Sequence, residues 1–336
     1  MKKYFYSGLI MLLLISCKTE AHKGVERTSI TPELISDSIY TRMPGKLFKV
    51  DKYAIWEDPF GSPDGFMHVI DIGTKEEVAT MGKKGQGPKE FETPAVKQGR
   101  GNTIFVYDLN TKRQALFSLD SLMENKDYYI PLEDATEELG VSKIHLEHQP
   151  IVSSNQNQPH LFKMQKNESF IEFGTPYINK EIDNPYDIYR GTMNTNEDKN
   201  KFVFASFDLP YMEIYDMKGS KPTLIYASEM PSNACNIERR ELKPNAQRKG
   251  ARDLALLKDY IVTIQRDYEV DNTDESTVRM NFEKASKTVF LYNYKGELQK
   301  IVDVGIPIFR IAGDIKSNDL YAFGVDPEFV LVKCEL

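Results

Sequence analysis

The stretch Thr103-Ile104-Phe105-Val106-Tyr107-Asp108, followed by Thr111-Lys112, decides the fold class of this chain. It is short, dense in β-branched and aromatic side chains, and ends on an acidic residue whose side chain can bond the backbone just downstream and start a turn. The same element, two apolar residues, then Asp or Asn, then a turn holding Lys or Gly, returns three times. It reads Val69-Ile70-Asp71 with Thr74-Lys75, Ile214-Tyr215-Asp216 with Lys218-Gly219, and Leu291-Tyr292-Asn293 with Lys295-Gly296. Further runs such as Tyr53–Trp56, Lys201–Phe207 and Tyr260–Ile264 are equally short, and long helical patterns are scarce. This is the signature of an all-β sandwich, barrel or propeller.

Spacing chooses among the three. Four-strand units laid over the chain start their inner strands near Lys46, Ala95, Lys143, Ile188, Arg252 and Ile308, at steps of 49, 48, 45, 64 and 56 residues. A propeller blade takes ~40–50 residues, and the two long steps are expected to hold loop insertions near Met230–Gly250 and Asp271–Ser276. The last unit supplies three strands, Arg310–Asp314, Asp319–Phe323 and Glu328–Cys334. Its missing outer strand is expected from Ile30–Tyr40, which closes the ring and protects the sheet edges. The expected fold is a six-bladed β-propeller over residues 28–336, closed by that N-terminal strand joining the last blade.

Upstream, Lys2 and Lys3 precede the apolar run Leu9–Ile15, and Ser16-Cys17 closes it. Leu14-Ile15-Ser16-Cys17 resembles the lipobox of bacterial lipoproteins, in which the Cys becomes the acylated first residue of the mature chain. A transmembrane anchor fits poorly, because the run is far short of the ~20 residues that span a bilayer. A plain secretory peptide would place a small residue at −3, where Leu14 stands. The expectation is a signal peptide at 1–16, a lipid-anchored spacer at 17–27, and a monomeric propeller held to the outer membrane of the cell envelope through Cys17. Whether it faces the periplasm or the exterior stays open.

The net charge of −7 repels phosphate backbones and argues against a nucleic-acid partner. Besides Cys17 the chain has only Cys235 and Cys334. An oxidising compartment invites them to pair, but two unrelated thiols is the preferred reading, and without a Cys-x-x-Cys pair neither thiol exchange nor a thiolate zinc site is expected.

Gly82-Lys83-Lys84-Gly85-Gln86-Gly87-Pro88-Lys89-Glu90-Phe91 joins the first two blades. It resembles the Gly-Arg-Gly-Pro-Gly-Glu-Phe signature of TolB-like six-bladed propeller lipoproteins of Gram-negative anaerobes, keeping Gly85, Gly87, Pro88, Glu90 and Phe91 and departing at Gln86 and Lys89. The resemblance implies a fold and a location and little about activity. Physically, Gly85 and Gly87 permit positive φ, and Pro88 fixes the exit of the turn. Such a turn can cradle an anion with help from Lys83, Lys84 and Lys89. The preferred reading is a stiff crossover that delivers Phe91 between two blades, with Glu90 satisfying backbone donors.

Other candidates are weaker. The basic segment Glu238–Arg252 would overhang one end of the channel and attract anions, or simply face water. His145 and His148 point to opposite faces of a strand, so no metal pair is expected there. His68 and His160 have no ligand-like neighbour in sequence, and Trp56 is expected to pack between blades. No nucleophile elbow or catalytic order is found, so no catalytic residue, metal or cofactor is assigned. The favoured function is a binding module presenting its channel mouth to a protein, peptide or glycan, with Lys89, Arg190, Arg252, Asp253 and Arg310 as candidate ligand-binding residues. The alternative is a lactonase- or lyase-like enzyme holding a divalent cation, which requires at least three oxygen ligands from different blades.

Overall fold

The structure is a computed structural model that describes residues 24–61, 65–132, 143–146, 149–153, 160–166, 169–178, 181–247, 249–273 and 281–336. Cys17, His148 and Arg248 lie outside the described residues.

Two strands, β1 (Glu26–Ser29) and β2 (Glu33–Ser36), precede six sheets. The first sheet is β3 (Leu47–Val50), β4 (Tyr53–Glu57), β5 (Met67–Asp71) and β6 (Glu76–Met81). A short parallel pair, β7 (Lys83–Lys84) and β8 (Glu90–Phe91), leads to β9 (Pro94–Gln98), β10 (Thr103–Asp108), β11 (Gln114–Ser118) and β12 (Tyr129–Leu132). The third sheet is β13 (Lys143–Leu146), β14 (Gln149–Ser153), β15 (Phe162–Lys166) and β16 (Ser169–Phe173). The fourth is β17 (Gly191–Asn196), β18 (Lys201–Ser206), β19 (Met212–Asp216) and β20 (Thr223–Ala227). After a hairpin, β21 (Cys235–Glu238) and β22 (Glu241–Pro244), come β23 (Leu254–Leu256), β24 (Ile261–Ile264), β25 (Thr288–Tyr292) and β26 (Leu298–Asp303). The sixth sheet holds β27 (Ile308–Gly313), β28 (Asp319–Val325) and β29 (Phe329–Glu335).

Each sheet is an antiparallel meander, and the first strands lie side by side around one ring: β3 beside β27, β27 beside β23, β23 beside β17, β17 beside β13, and β13 beside β9. This is a six-bladed propeller. Its closure follows the expectation: β2 completes the sixth blade antiparallel to β29, with Glu33 opposite Lys333 and Leu34 opposite Val332. A second N-terminal addition was not foreseen. β1 lies parallel on β26, with Glu26 opposite Lys300, so Glu26 and Arg27, assigned to the spacer from sequence, belong to the fold. Ion pairs add to the backbone pairing: Arg27 Nε donates to Asp267 Oδ2 at 2.8 Å and its Nη2 to Glu269 Oε2 at 2.5 Å.

The turn element also has its physical account. Asp71 Oδ1 accepts from the amides of Gly73 and Thr74, and Asp108 Oδ1 from those of Asn110 and Thr111. Asp216 accepts from Lys218, and Asn293 from Lys295 and Glu297. Three of these turns join third to fourth strands, whereas Asp108 joins β10 to β11. The repeat marks hairpins, not a constant blade phase.

The core sits between blades. Phe91 is fully buried and meets Phe66 of the first blade edge-on at 6.2 Å and Phe117 of the second at 5.8 Å. A buried Phe contributes about 1.5–3 kcal/mol, so this trio is a main fastening of the two blades. Trp56 is buried as expected, stacked on His68 at 4.2 Å and edge-on to Phe323 of the sixth blade at 5.7 Å. Val203 and Ile214 face Leu254 and Ile261 across the interface between the fourth and fifth blades.

Candidate functional site in the central channel

The inner strands enclose a cavity of ≈ 390 Å³, lined from β3, β9, β17, β23 and β27 and from the loops that follow most of them. The strand alternation that sends Leu47, Val96 and Ile311 into the blade interfaces leaves charged and polar groups for the channel. Lys46 and Asp253 stand just before β3 and β23, and Lys97 lies on β9.

Asp253 is buried and joins three blades. Its Oδ2 accepts from the amide of Ile311 on β27 at 3.0 Å, and its Oδ1 faces Lys46 Nζ at 3.8 Å. The Lys97 amine is pushed down to about 8, first by desolvation and then by the charge of Lys46, against the opposing pull of Asp253 and Glu57. Glu57, behind them on β4, accepts from the Lys46 amide at 3.1 Å, and burial raises its carboxyl above the ordinary range despite that bond and the nearby Lys46 and Arg310 charges.

Among the described residues, acidic side chains dominate the loops after the inner strands. Asp51, Glu197, Asp198 and Asp314 line the cavity there, against Lys49 and Lys316. Lys49 is committed locally: Nζ reaches Asp314 Oδ2 at 3.3 Å, donates to the carbonyl of Asp51, and lies over the Tyr321 ring. The channel is therefore polarised, with amines inside and carboxylates at this rim.

Of the five ligand-binding candidates from sequence, Asp253 alone lines this cavity. Arg310 donates to the carbonyls of Gly45 and Phe309, so it stitches the sixth blade to the first. Arg190 pairs with Asp208 at 3.3 Å, and the Arg252 amide bonds Ile264 within the fifth blade. Lys89 is exposed, paired with Asp127 and set over the Tyr129 ring on the outer strand of the second blade. These four were placed by loop position, and a loop position does not say whether a side chain turns to the axis or to its neighbour. Lys46 and Lys97 were missed as site residues. A lysine inside an otherwise apolar inner-strand window was the available signal.

The joining turn is built as a crossover. Glu90 Oε2 accepts from the Gly87 amide, while Arg113 Nη1 donates to the carbonyls of Gly87 and Glu90. Of the two glycines read as permitting positive φ, Gly85 adopts it (152°) and Gly87 does not, while Gly82 just upstream does (81°). The basic insertion is a hairpin, not an irregular lip: Arg239 and Arg240 form its two-residue turn with φ of 52° and 67°. Arg240 reaches Glu181 and Asp183, and Lys243 reaches Glu238. Cys235 and Cys334 are both thiols. Among the described residues, no three His, Cys, Asp or Glu side chains converge to hold a metal ion.

Comparison with known proteins bears on the fold. A member of the DUF4221 family from Bacteroides vulgatus is 12% identical, with a TM-score of 0.57 over 90% of this chain and 95% of that one. A protein described as exported, from Bacteroides fragilis, is 11% identical, with a TM-score of 0.53 over 92% and 99%. Regucalcin from Agrobacterium tumefaciens, a calcium-binding protein, is 8% identical, with a TM-score of 0.50 over 92% and 94%. No curated protein matches. The model of the TolB-like 6-blade propeller-like family matches residues 25–311, and with the six-sheet ring it establishes that the chain belongs to this family.

Proposed function

We propose that this chain is a binding module of the cell envelope, anchored through acylated Cys17, that receives its partner in the central channel. The observation that carries the binding reading is the polarised cavity: two lysines and Asp253 from three blades, with an acidic rim. A pocket with a few convergent polar groups is the usual form of a ligand site. The envelope location is supported by the lipobox-like Leu14-Ile15-Ser16-Cys17, by the family, and by the likeness to an exported protein. Two or three acyl chains at ~0.8 kcal/mol per buried methylene would hold the module to a membrane.

The candidate partners are proteins, peptides and glycans, and a peptide suits the channel best because both charge signs line it. The test is a binding screen on the detergent-solubilised full chain, with peptide and oligosaccharide panels, repeated on Lys97→Met and Asp253→Asn. Ligands that bind the parent and change affinity in both variants, in either direction, support the channel. Ligands that bind all three chains equally remove it.

A further inference from the structure

Lys97 is the unusual group of the channel. It lines the cavity, yet among the described residues its ammonium has no hydrogen bond and no ion pair. Lys46 is only partly satisfied: its one carboxylate, Asp253, stands at 3.8 Å, beyond hydrogen-bond distance, and Asp253 spends its other oxygen on the Ile311 amide. A charged donor withdrawn from water without a partner is unfavourable. An acceptor supplied from outside relieves that penalty at Lys97 and gives the partly exposed Lys46 a hydrogen-bond partner as well.

The acceptor's charge and length can be read from the surroundings. Among the described residues, Asp253 offsets one of the two ammonium charges, and the carboxyl of Glu57 behind them is raised by burial, so the interior suits a single negative charge better than a phosphate dianion. A neutral sugar would leave Lys97 unpaired. At the opposite rim, among the described residues, Asp51, Asp198 and Asp314 outnumber Lys49 and Lys316 and favour a cation. From Lys46 to Asp51 the chain runs through β3 in five residue steps, about 16 Å at the strand rise, the span of roughly five extended residues. Gln98, Asn102 and Thr195 lie between as neutral partners for amides.

We propose that the channel binds a short extended peptide, carboxylate first: its C-terminal carboxylate sits between Lys97 and Lys46, and its ammonium end meets the acidic rim. This rests on the channel being the binding site. Capture of a terminal carboxylate by fixed donors is a recurring mode of peptide recognition.

The test is isothermal titration calorimetry of the detergent-solubilised full chain with four pentaalanine probes: both termini free, C-terminal amide, N-acetyl, and both blocked. The free peptide should bind, and amidation should weaken it about tenfold or more, the worth of a lost charge-assisted hydrogen bond. Lys97→Met should bind the free peptide as weakly as the parent binds the amide, and should be indifferent to amidation, while Lys97→Arg should restore the difference. N-acetylation should weaken binding several-fold at low salt, an effect that fades at high salt as exposed charges are screened. Circular dichroism of each variant separates lost binding from lost folding. Equal affinity for free and amidated peptide overturns the proposal, as does full binding by a folded Lys97→Met. If no probe binds while an oligosaccharide binds the parent and not Lys97→Met, the peptide assignment fails and the channel site stands. If the free peptide binds Lys97→Met and Asp253→Asn as tightly as it binds the parent, the channel site fails too.

Discussion

The carboxylate of Glu90 accepts a hydrogen bond from the amide of Gly87 at 2.8 Å, closing the turn Gly87-Pro88-Lys89-Glu90 inside the sequence that carries the family resemblance. The shared residues thus bond one another, and Phe91, next in line, is fully buried between two blades. The motif works first as a blade fastener.

Strain in that motif is expected at Gly82. Its φ is 81°, and a Cβ there would stand 2.5 Å from the Phe66 ring. Gly82→Ala should destabilise by about 2 kcal/mol or more, through backbone strain and displacement of a core aromatic. At Gly87 an added Cβ would meet only the carboxylate end of Glu90, at 2.9 Å, so Gly87→Ala should be milder. Lys89→Ala should leave the melting temperature unchanged. Thermal melts of the three variants check the order.

Ring closure should show in truncations. Deleting residues 18–24 removes no described strand, whereas deleting 18–40 removes β1 and β2 and bares the edges of β26 and β29. The longer deletion should lower the melting temperature sharply or abolish folding, and the shorter should not. Ile35→Ala, at a side chain 3% exposed in β2, should destabilise by about 2–4 kcal/mol on its own. Equal melting temperatures for the two truncations would contradict the closure.

Lys97 should make stability depend on alkaline pH. Its amine is held down to about 8 against 10.5 in the unfolded chain. Between those values the unfolded state binds more protons, so stability rises with pH across that window. Below pH 8 the cost of the buried ammonium is fully present. The parent should therefore gain about 1–3 kcal/mol relative to Lys97→Met between pH 8 and 10.5. Urea unfolding of both chains at several pH values measures the difference, and parallel curves would show an ordinary lysine.

Cys17 carries the anchoring proposal. Cys17→Ala should abolish incorporation of a fatty-acid analogue and shift the protein out of the detergent-extracted membrane fraction. Unchanged labelling in that variant would refute lipidation at this position.

Much of the fold is legible in the order of residues because its determinants are local. The alternation of Thr103–Asp108, the Asx turns at Asp71, Asp108, Asp216 and Asn293, and the spacing of the units follow from rules that act over a few residues, and they led to six blades and to a closing strand at Glu33–Ser36. Phe91 and Trp56 were placed between blades for the same reason: large apolar side chains in such strands have nowhere else to go.

What needed the tertiary structure is everything set by which blade meets which. Nothing near Arg27 in sequence points to Asp267, 240 residues away, or to the β26 edge on which β1 pairs. Lys89 and Arg310 were reasonable channel residues by position, but Asp127 and the Gly45 carbonyl claim them. Conversely, Lys46, Lys97 and Asp253 are remote in the chain and meet only because the ring brings the inner strands of the first, second and fifth blades around one axis. Charge at a site is a sum over neighbours in space, and the sequence orders those neighbours only along the chain.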